Sequence, residues 1–210
     1  MISTKVTKIE NYRDPKSDSW SAIKKTQVDL AKTPLALQPT QYIRASWEKR
    51  PYGETDSLKF ATVHDSKEIA FHLEWYVPVR HERDAVAIAM PITGNPPLIT
   101  MGMRDAPIHM LYWVEREKNV RSTIAIGIGT TRPGKNVGQT GVANWENGVR
   151  QIVLTRKLGQ AEETAPLVAG MTTMFAIALW RGANDERAGL KAYSITWKEL
   201  QLGASGGQND

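Results

Sequence analysis

One stretch near the C-terminal end constrains the fold most strongly, because its side chains alternate with a period of two residues. Within residues 174–180, large apolar side chains alternate with side chains that are mostly small or flexible. Successive side chains of a strand point to opposite faces, so each set occupies one face. The pattern predicts a strand with one core-facing side and a second, shallow side that can accept a flat ligand. The first set is Phe175, Ile177 and Leu179, and the second is Met174, Ala176, Ala178 and Trp180.

Strand-like segments recur along the whole chain, separated by Pro, Gly and Asx turns, and amphipathic helices are scarce. This spacing predicts an all-β fold, an antiparallel β-sandwich with few short helices. Without a repeat or a linker, residues 1–210 are expected to form a single domain with extended or flexible termini at 1–20 and 203–210. Residues 159–170 are expected to hold a short helix or an ordered loop. The expected strands are residues 42–47, 58–64, 69–77, 85–90, 108–114, 122–128, 149–156, 174–180 and 191–197.

Composition excludes several classes of function. The chain has no cysteine, which rules out disulfides, thiolate metal sites and covalent haem attachment. The formal net charge of +5 is spread along the chain without a basic stripe, so we expect no nucleic-acid partner. No apolar run reaches the length of about 18 residues that a membrane span needs. The polar N-terminus shows no apolar stretch typical of a signal peptide, so a removed signal, a cytoplasmic location and export with a partner all stay open.

Familiar catalytic motifs are absent from the sequence. Residues 129–136, GTTRPGKN, approach a phosphate-binding loop, but Asn136 replaces the required hydroxyl residue, and a glycine-rich surface loop is the better interpretation. The histidines lack metal-binding spacing, and no nucleophile or carboxylate pair stands out. The seven tryptophans are either buried anchors of the sandwich or a platform for stacking sugars.

Methionine provides the remaining chemical signal. Met101 and Met103 flank Gly102, whose missing side chain thins the backbone and allows a ligand to approach closely. Met174 lies on the shallow face of the strand described above. Thioether sulfur is a soft, neutral ligand that suits haem iron or copper(I). By themselves these separated methionines do not define a site, since a strand methionine usually fills the core.

Three segments together resemble a known family. They are TMG at residues 100–102 followed by Pro107 and an aromatic strand, NGVRQIVLTRKL, and FAIALWRGANDERAGLKAYS, whose W-x-G-x-N-x-E-R-x-G-x-K pattern is specific. Over residues 40–200 the chain resembles the haem b-binding gamma subunits of dimethyl sulfoxide reductase type II molybdenum enzymes. That group includes ethylbenzene, dimethyl sulfide and steroid C25 dehydrogenases and the selenate and chlorate reductases. The resemblance implies a sandwich similar to family 9 carbohydrate-binding modules that holds one non-covalent haem b.

The resemblance also implies a set of site residues. Met101 matches the family's axial methionine. The family's second ligand, a lysine placed six residues before the motif tryptophan, corresponds to Met174, so bis-methionine ligation is expected. Such ligation would raise the reduction potential. Substitutes for the second ligand are Met103, Met171 and His109. The candidate partners of the haem propionates are Arg104, Lys191 and Arg121.

The function implied by the resemblance is electron transfer without substrate chemistry in this chain. The complex would be a periplasmic heterotrimer, with molybdopterin in an alpha subunit and iron–sulfur clusters in a beta subunit. The haem would exchange electrons with an external carrier such as a c-type cytochrome. The alternative is a carbohydrate-binding module of the same fold that uses exposed Trp and Tyr side chains.

Overall fold

Strands dominate the structure, a computed structural model that describes residues 1–203. The predicted tail therefore falls, from residue 204 onward, outside the described residues. All but one of the expected strands are present, several with shifted ends. The strands are β1 (Ile2–Lys5), β2 (Thr26–Asp29), β3 (Ala31–Lys32), β4 (Ser57–His64), β5 (Glu68–Tyr76), β6 (Ala85–Pro91), β7 (Ile108–Val114), β8 (Val120–Ala125), β9 (Thr131–Pro133), β10 (Thr140–Glu146), β11 (Val149–Lys157), β12 (Thr172–Trp180), β13 (Ala192–Tyr193) and β14 (Lys198–Leu202).

Helical segments are short, as the sequence predicts. The predicted strand at residues 42–47 is wrong, because this segment forms the helix α1 (Gln41–Trp47). The Thr40 side chain accepts a hydrogen bond from the Ile43 amide at 3.2 Å and so caps the first turn. Trp47 is buried, which anchors the helix. The 3-10 helices are Ile9–Tyr12, Asp18–Ala22, Leu35–Leu37 and Gly182–Asn184.

The strands form two sheets joined by β1. The path of hydrogen-bonded neighbours runs β10-β11-β5-β4-β1-β14-β12-β6-β7-β8-β9. The first half of β1 pairs with β14 and its second half with β4, so this strand passes from one sheet to the other. Both pairings of β1 are parallel, whereas the other strand pairs are antiparallel. The predicted all-β, antiparallel architecture is confirmed.

The core lies between the two sheets. Phe60 of β4 stacks on Phe175 of β12 with ring centroids 4.5 Å apart, which joins the sheets at their centre. Phe175, Ile177 and Leu179 are all buried in this core, as their alternation predicts. Since they point inward, the second set of side chains on β12 points out of the sandwich.

Residues 1–20 differ from the expected extended or flexible terminus. They form β1 and 3-10 helices, and Ile9 and Trp20 are each 2% exposed. Their side chains pack on Ala61 and Val63, on the outer face of the first sheet. The N-terminal segment is therefore ordered because it covers apolar surface that would otherwise face water.

Two further segments differ from the sequence-based expectations, and a third agrees with one of two alternatives. The predicted strand at residues 191–197 is confined to β13, and the chain resumes pairing only at β14. The loop at residues 129–136 contains β9, which pairs with the edge strand β8. Residues 159–170 form an ordered loop, one of the two predicted alternatives, which is closed by an isolated bridge between Gly159 and Leu167.

Candidate functional site

The outer face of the second sheet carries a patch of alanines. Ala176 and Ala178 of β12 pair with Ala89 and Ala87 of β6, so the four methyl groups lie side by side. Met110 and Tyr112 of β7 extend the patch on the next strand. The shallow face predicted from β12 is therefore present and is twice as wide as the sequence pattern of that strand alone indicates.

This patch is the floor of a cleft of about 410 Å³. The walls come from the loop between β6 and β7, the turn between β8 and β9, and the segments that precede β4 and β13. Leu37, Ile99 and Ile128 line the mouth and are 39%, 46% and 44% exposed. A concave apolar site with few polar groups is typical of a cofactor or small-molecule pocket.

Two potential ligand atoms meet in this cleft. The Lys191 ammonium nitrogen Nζ lies 3.5 Å from the Met101 sulfur Sδ, and 5.1 Å from the centre of the Trp180 ring. Lys191 is only 7% exposed. No carboxylate within the described residues forms an ion pair with it. Burial lowers the pKa of Lys191 from 10.5 to about 8, so the neutral amine, the form that can bind a metal, forms at a lower pH than for an exposed lysine.

The backbone around Met101 is held in an unusual conformation. Met101 has a φ of 59°, and its amide donates to the Leu98 carbonyl at 2.9 Å. Its carbonyl accepts from the Gly127 amide at 3.1 Å. Non-glycine residues rarely adopt the left-handed region, and those that do cluster at functional sites.

The missing side chain of Gly102 makes room for the protein's own backbone and not for a ligand. Its φ is 81°, and a Cβ there would lie 3.1 Å from the Ala106 and Ala125 carbonyl oxygens. Gly102 therefore lets the loop pack closely on β8 and the segment before β7. The predicted close approach exists, but its partner is the protein backbone.

The structure does not bring Met174 to Met101. Met174 lies on the outward face of β12 and pairs with Glu199 of β14, whereas the alanines that follow it pair with β6 and β13. Among the described residues that line the cleft, β12 contributes side chains from Ala176 onward, and Met174 is not one of them. The side chain beside Met101 in the cleft is thus Lys191, which the sequence assigned to a propionate, and not Met174.

Two of the substitute ligands, Met103 and Met171, and the propionate candidate Arg104 also lie away from the cleft. Met103 is 48% exposed, and Arg104 is exposed on the same turn; neither is a lining residue in the described chain. The Met171 sulfur accepts a hydrogen bond from the Val168 amide at 3.0 Å, in the turn before β12. Met103 and Met171 are therefore not placed to share a ligand with Met101, and Arg104 is not placed beside the cleft.

His109 points into the core, on the opposite side of β7 from Met110. Its Nε2 atom lies 2.9 Å from the Ser122 hydroxyl, and the Ala165 amide donates to its Nδ1 atom at 3.3 Å. Burial first, and the nearby Arg156 guanidinium second, lower its pKa to about 3. His109 is consequently a neutral, hydrogen-bonded core residue at ordinary pH.

Arg121 is the one propionate candidate, besides Lys191, that lines the cleft. Its guanidinium lies 4.8 Å from the centre of the Tyr112 ring, and Nε lies 3.1 Å from a Glu117 carboxylate oxygen. The side chain is half-exposed at the mouth, where it can exchange Glu117 for another carboxylate.

Two features of the site were missed by sequence reasoning. Ala85, Ala87 and Ala89 alternate with large apolar residues in the predicted strand at 85–90. The alternation argument used for β12 therefore also predicts the alanines that β6 contributes to the floor of the cleft. Lys191 is the lysine of the W-x-G-x-N-x-E-R-x-G-x-K pattern, but the pattern alone did not place its amine beside Met101. Its position follows from the wide turn after Trp180, which returns the chain to β12 at Ala192 and Tyr193.

Comparisons with known proteins agree with the family resemblance, although no family model matches the chain. A putative respiratory nitrate reductase haem subunit of Haloferax mediterranei is 23% identical over 202 residues, 91% of this chain and 68% of that protein. The dimethylsulfide dehydrogenase gamma subunit of Rhodovulum sulfidophilum is 25% identical over 198 residues, 88% and 73% respectively. This chain is a relative of the haem and gamma subunits.

The chlorate reductase gamma subunit of Ideonella dechloratans belongs to the same set. It is 28% identical over 123 residues, which cover 57% of this chain and 50% of that subunit. The resemblance to gamma subunits inferred from the sequence motifs is thereby confirmed.

Solved structures confirm the predicted sandwich. A family 9 carbohydrate-binding module from Caldicellulosiruptor kristjanssonii in complex with glucose matches with a TM-score of 0.58 at 13% identity, covering 100% of this chain and 99% of that one. The module in complex with cellotriose matches with a TM-score of 0.54 at 12% identity, covering 100% and 96%. At these identities the likeness concerns the fold alone.

Residues 1–203 lack two other kinds of feature. No helix there is both long and apolar enough to cross a membrane. The same residues contain no group of three or more His, Asp or Glu side chains that could hold a metal ion.

The buried charge of Lys191 predicts a pH-dependent stability of the ligand-free protein. Lys191→Met is expected to raise the free energy of unfolding at pH 7 by about 3 kcal/mol, because the folded chain no longer buries an ammonium group. In the wild type, the destabilisation caused by burying Lys191 is complete below pH 8, where this side chain is charged in the folded and the unfolded chain. It vanishes above pH 10.5, where the side chain is neutral in both states. Denaturant unfolding of both proteins between these pH values should show the difference shrinking; a constant difference would contradict the assignment.

Proposed function

We propose that this chain is the haem b-binding electron-transfer subunit of a molybdenum oxidoreductase complex. The observation that carries the proposal is the contact between the Lys191 amine and the Met101 thioether in an apolar cleft. The names of the three relatives support the same function. They are a nitrate reductase haem subunit, a chlorate reductase gamma subunit and a dimethylsulfide dehydrogenase gamma subunit.

Met101 and Lys191 are the proposed axial ligands of the iron. A bound haem supplies reversible one-electron exchange between ferric and ferrous iron. A buried ammonium group without a carboxylate partner is costly, and the cost is removed when the neutral amine donates its lone pair to a metal. The thioether is a soft neutral donor that favours ferrous iron, whereas the amine nitrogen favours it less. We therefore expect a potential below that of the bis-methionine site predicted from the sequence.

The remaining cleft residues fit a flat, mostly apolar macrocycle. The alanine floor offers a shallow surface, and the apolar side chains at the mouth would be covered by the bound group. Arg121 is the proposed partner of a propionate, since its guanidinium can form a bidentate pair with a carboxylate at the rim. No acidic residue lines the cleft within the described part of the chain, which suits an anionic ligand.

Electron transfer without substrate chemistry follows from this ligand set. With Met101 and Lys191 both bound to the iron, a haem held here would exchange electrons and would not bind a substrate. The substrate reaction is proposed to occur at molybdopterin in an alpha subunit, connected through an iron–sulfur beta subunit. An external carrier such as a c-type cytochrome would complete the path. The proposed compartment is the periplasm, reached after signal removal or together with a partner.

Titration of the ligand-free protein with ferric haem tests the proposal. Saturation at one haem per chain is expected, with a sharp Soret band and, after reduction, the narrow α and β bands of low-spin iron. The control is Met101→Leu, which removes one donor and keeps the volume of the side chain. Weak, non-saturating binding, or identical spectra for wild type and Met101→Leu, would refute the proposal.

The carbohydrate-binding alternative lacks the platform that it needs. All seven tryptophans fall within residues 1–203, and none of them is exposed. Tyr42 and Tyr76 are exposed, but they lie on α1 and β5, which belong to different parts of the fold. The alternative therefore rests on similarity of fold, and fold similarity does not transfer a function.

A further inference from the structure

A buried carboxylate holds the turn that leads to Lys191. Glu186 is 6% exposed. One of its carboxylate oxygens, Oε2, accepts a hydrogen bond from the Arg181 amide at 2.9 Å, and the other, Oε1, accepts from the Gly53 amide at 2.8 Å. Glu186 therefore ties the start of its own turn to a distant segment of the chain. Hydrogen bonds from backbone amides to a buried carboxylate are strong and directional.

Gly53 in turn packs against the backbone of Lys191. Its φ is +63°, and a Cβ placed there would lie 2.9 Å from the Lys191 carbonyl oxygen and 2.9 Å from the Cα of Lys32. Both neighbours are backbone atoms that cannot move aside by a side-chain rotation. Only glycine fits between them without displacing one of the two segments.

The same Lys191 carbonyl is held by a second residue. Thr33 donates to it twice, from its amide at 3.0 Å and from its hydroxyl at 3.1 Å. The carbonyl is thus bonded to Thr33 and in close contact with Gly53. Because the backbone of Lys191 is held in this way, the position of its amine beside Met101 is set by these neighbours as well as by its own side-chain rotamers.

We propose that Glu186 and Gly53 form a clamp that positions Lys191 as the second axial ligand. This inference rests on the proposed haem-binding function. Glu186 holds Gly53 in place, and Gly53 fixes the Lys191 carbonyl against Thr33. Neither clamp residue contacts the ligand, so both act by positioning Lys191.

A pair of glycine substitutions separates positioning from backbone strain. Gly53→Ala introduces a methyl group against the Lys191 carbonyl, whereas Gly94→Ala, at a nearly identical φ of +62°, meets nothing within 4 Å. Both variants carry the same conformational strain at the substituted residue. Any difference between them therefore reports the contact with Lys191 and Lys32.

The first measurement needs no haem. In the ligand-free protein, acylation of Lys191 by an amine-reactive ester is followed by peptide mass spectrometry, with exposed lysines as internal standards. Gly53→Ala is expected to accelerate acylation at Lys191 by about tenfold, which corresponds to roughly 1.4 kcal/mol of easier exposure. Gly94→Ala should match the wild type. Equal rates in all three proteins would overturn the clamp.

The second measurement uses the haem-loaded protein. Gly53→Ala should lose part of the low-spin signal and change its midpoint potential, whereas Gly94→Ala should keep the signal and the potential of the wild type. Glu186→Gln should behave as Gly53→Ala does, because the new side-chain NH2 group would face a backbone N–H donor. If the wild type does not bind haem, the proposed function fails, and the acylation result still decides the clamp. If the wild type binds haem, and Gly53→Ala and Glu186→Gln both keep the wild-type spectrum, the clamp fails and the proposed function stands.

Discussion

Replacing Lys191 with alanine is expected to lower the affinity for haem by more than about 100-fold and to convert the remaining complex to a high-spin spectrum. Loss of an outer residue that merely orients a metal ligand commonly costs 10- to 100-fold, and loss of the ligand itself costs more. The substitution also empties the centre of the cleft, where the amine now contacts the Met101 sulfur at 3.5 Å. Haem titrations monitored at the Soret band give both quantities.

The matched control for this prediction is Met174→Leu. Met174 lies on the face of β12 that also carries Ala176 and Ala178, but outside the cleft. Its replacement should therefore leave the haem affinity, the spectrum and the midpoint potential unchanged. The opposite result, with Met174→Leu losing the low-spin spectrum and Lys191→Ala retaining it, would restore the bis-methionine assignment.

Filling the floor of the cleft is expected to have the second largest effect. In Ala178→Leu the longer side chain occupies the space above Ala87, its partner on β6. Excess volume in a packed site typically costs 1–3 kcal/mol, which corresponds to a loss of roughly 10- to 100-fold in haem affinity. Because Ala178 points away from the core between the sheets, the ligand-free protein should unfold within about 0.5 kcal/mol of the wild type.

The control is Thr172→Leu, which introduces the same side chain on the same face of β12. Thr172 is exposed and pairs with Gln201 of β14, beyond the end of the cleft. It should bind haem as the wild type does. If Ala178→Leu bound haem with unchanged affinity, the alanine patch would not be the floor of the site.

The fold could be predicted from the sequence wherever a strand has one buried face. The alternation of large and small side chains in β12 identified the strand, its core side and its shallow side, because side chains that alternate every second residue indicate a strand. Residues 42–47 misled the same reasoning, since a short segment of mixed apolar residues also fits one face of a helix. The Thr40 cap and the burial of Trp47 decide in favour of α1.

The candidate site could be predicted only in part, for a physical reason. The floor is local to strands and follows from their alternation, and Met101 was found through its sequence motif. Lys191 becomes a ligand candidate only because a turn, a buried carboxylate and Thr33 bring its backbone to the cleft. Such placement depends on contacts between residues far apart in the chain, and the local pattern that ends at Lys191 does not show which side chain its amine will meet.

The most direct test of the central claim is pulsed electron paramagnetic resonance of the ferric haem-loaded protein. Protein labelled isotopically at the side-chain nitrogen of lysine should show a hyperfine coupling that changes with the label and disappears in Lys191→Met. A spectrum in which no coupling depends on the label, or in which the coupling persists in Lys191→Met, would contradict ligation of the iron by Met101 and Lys191.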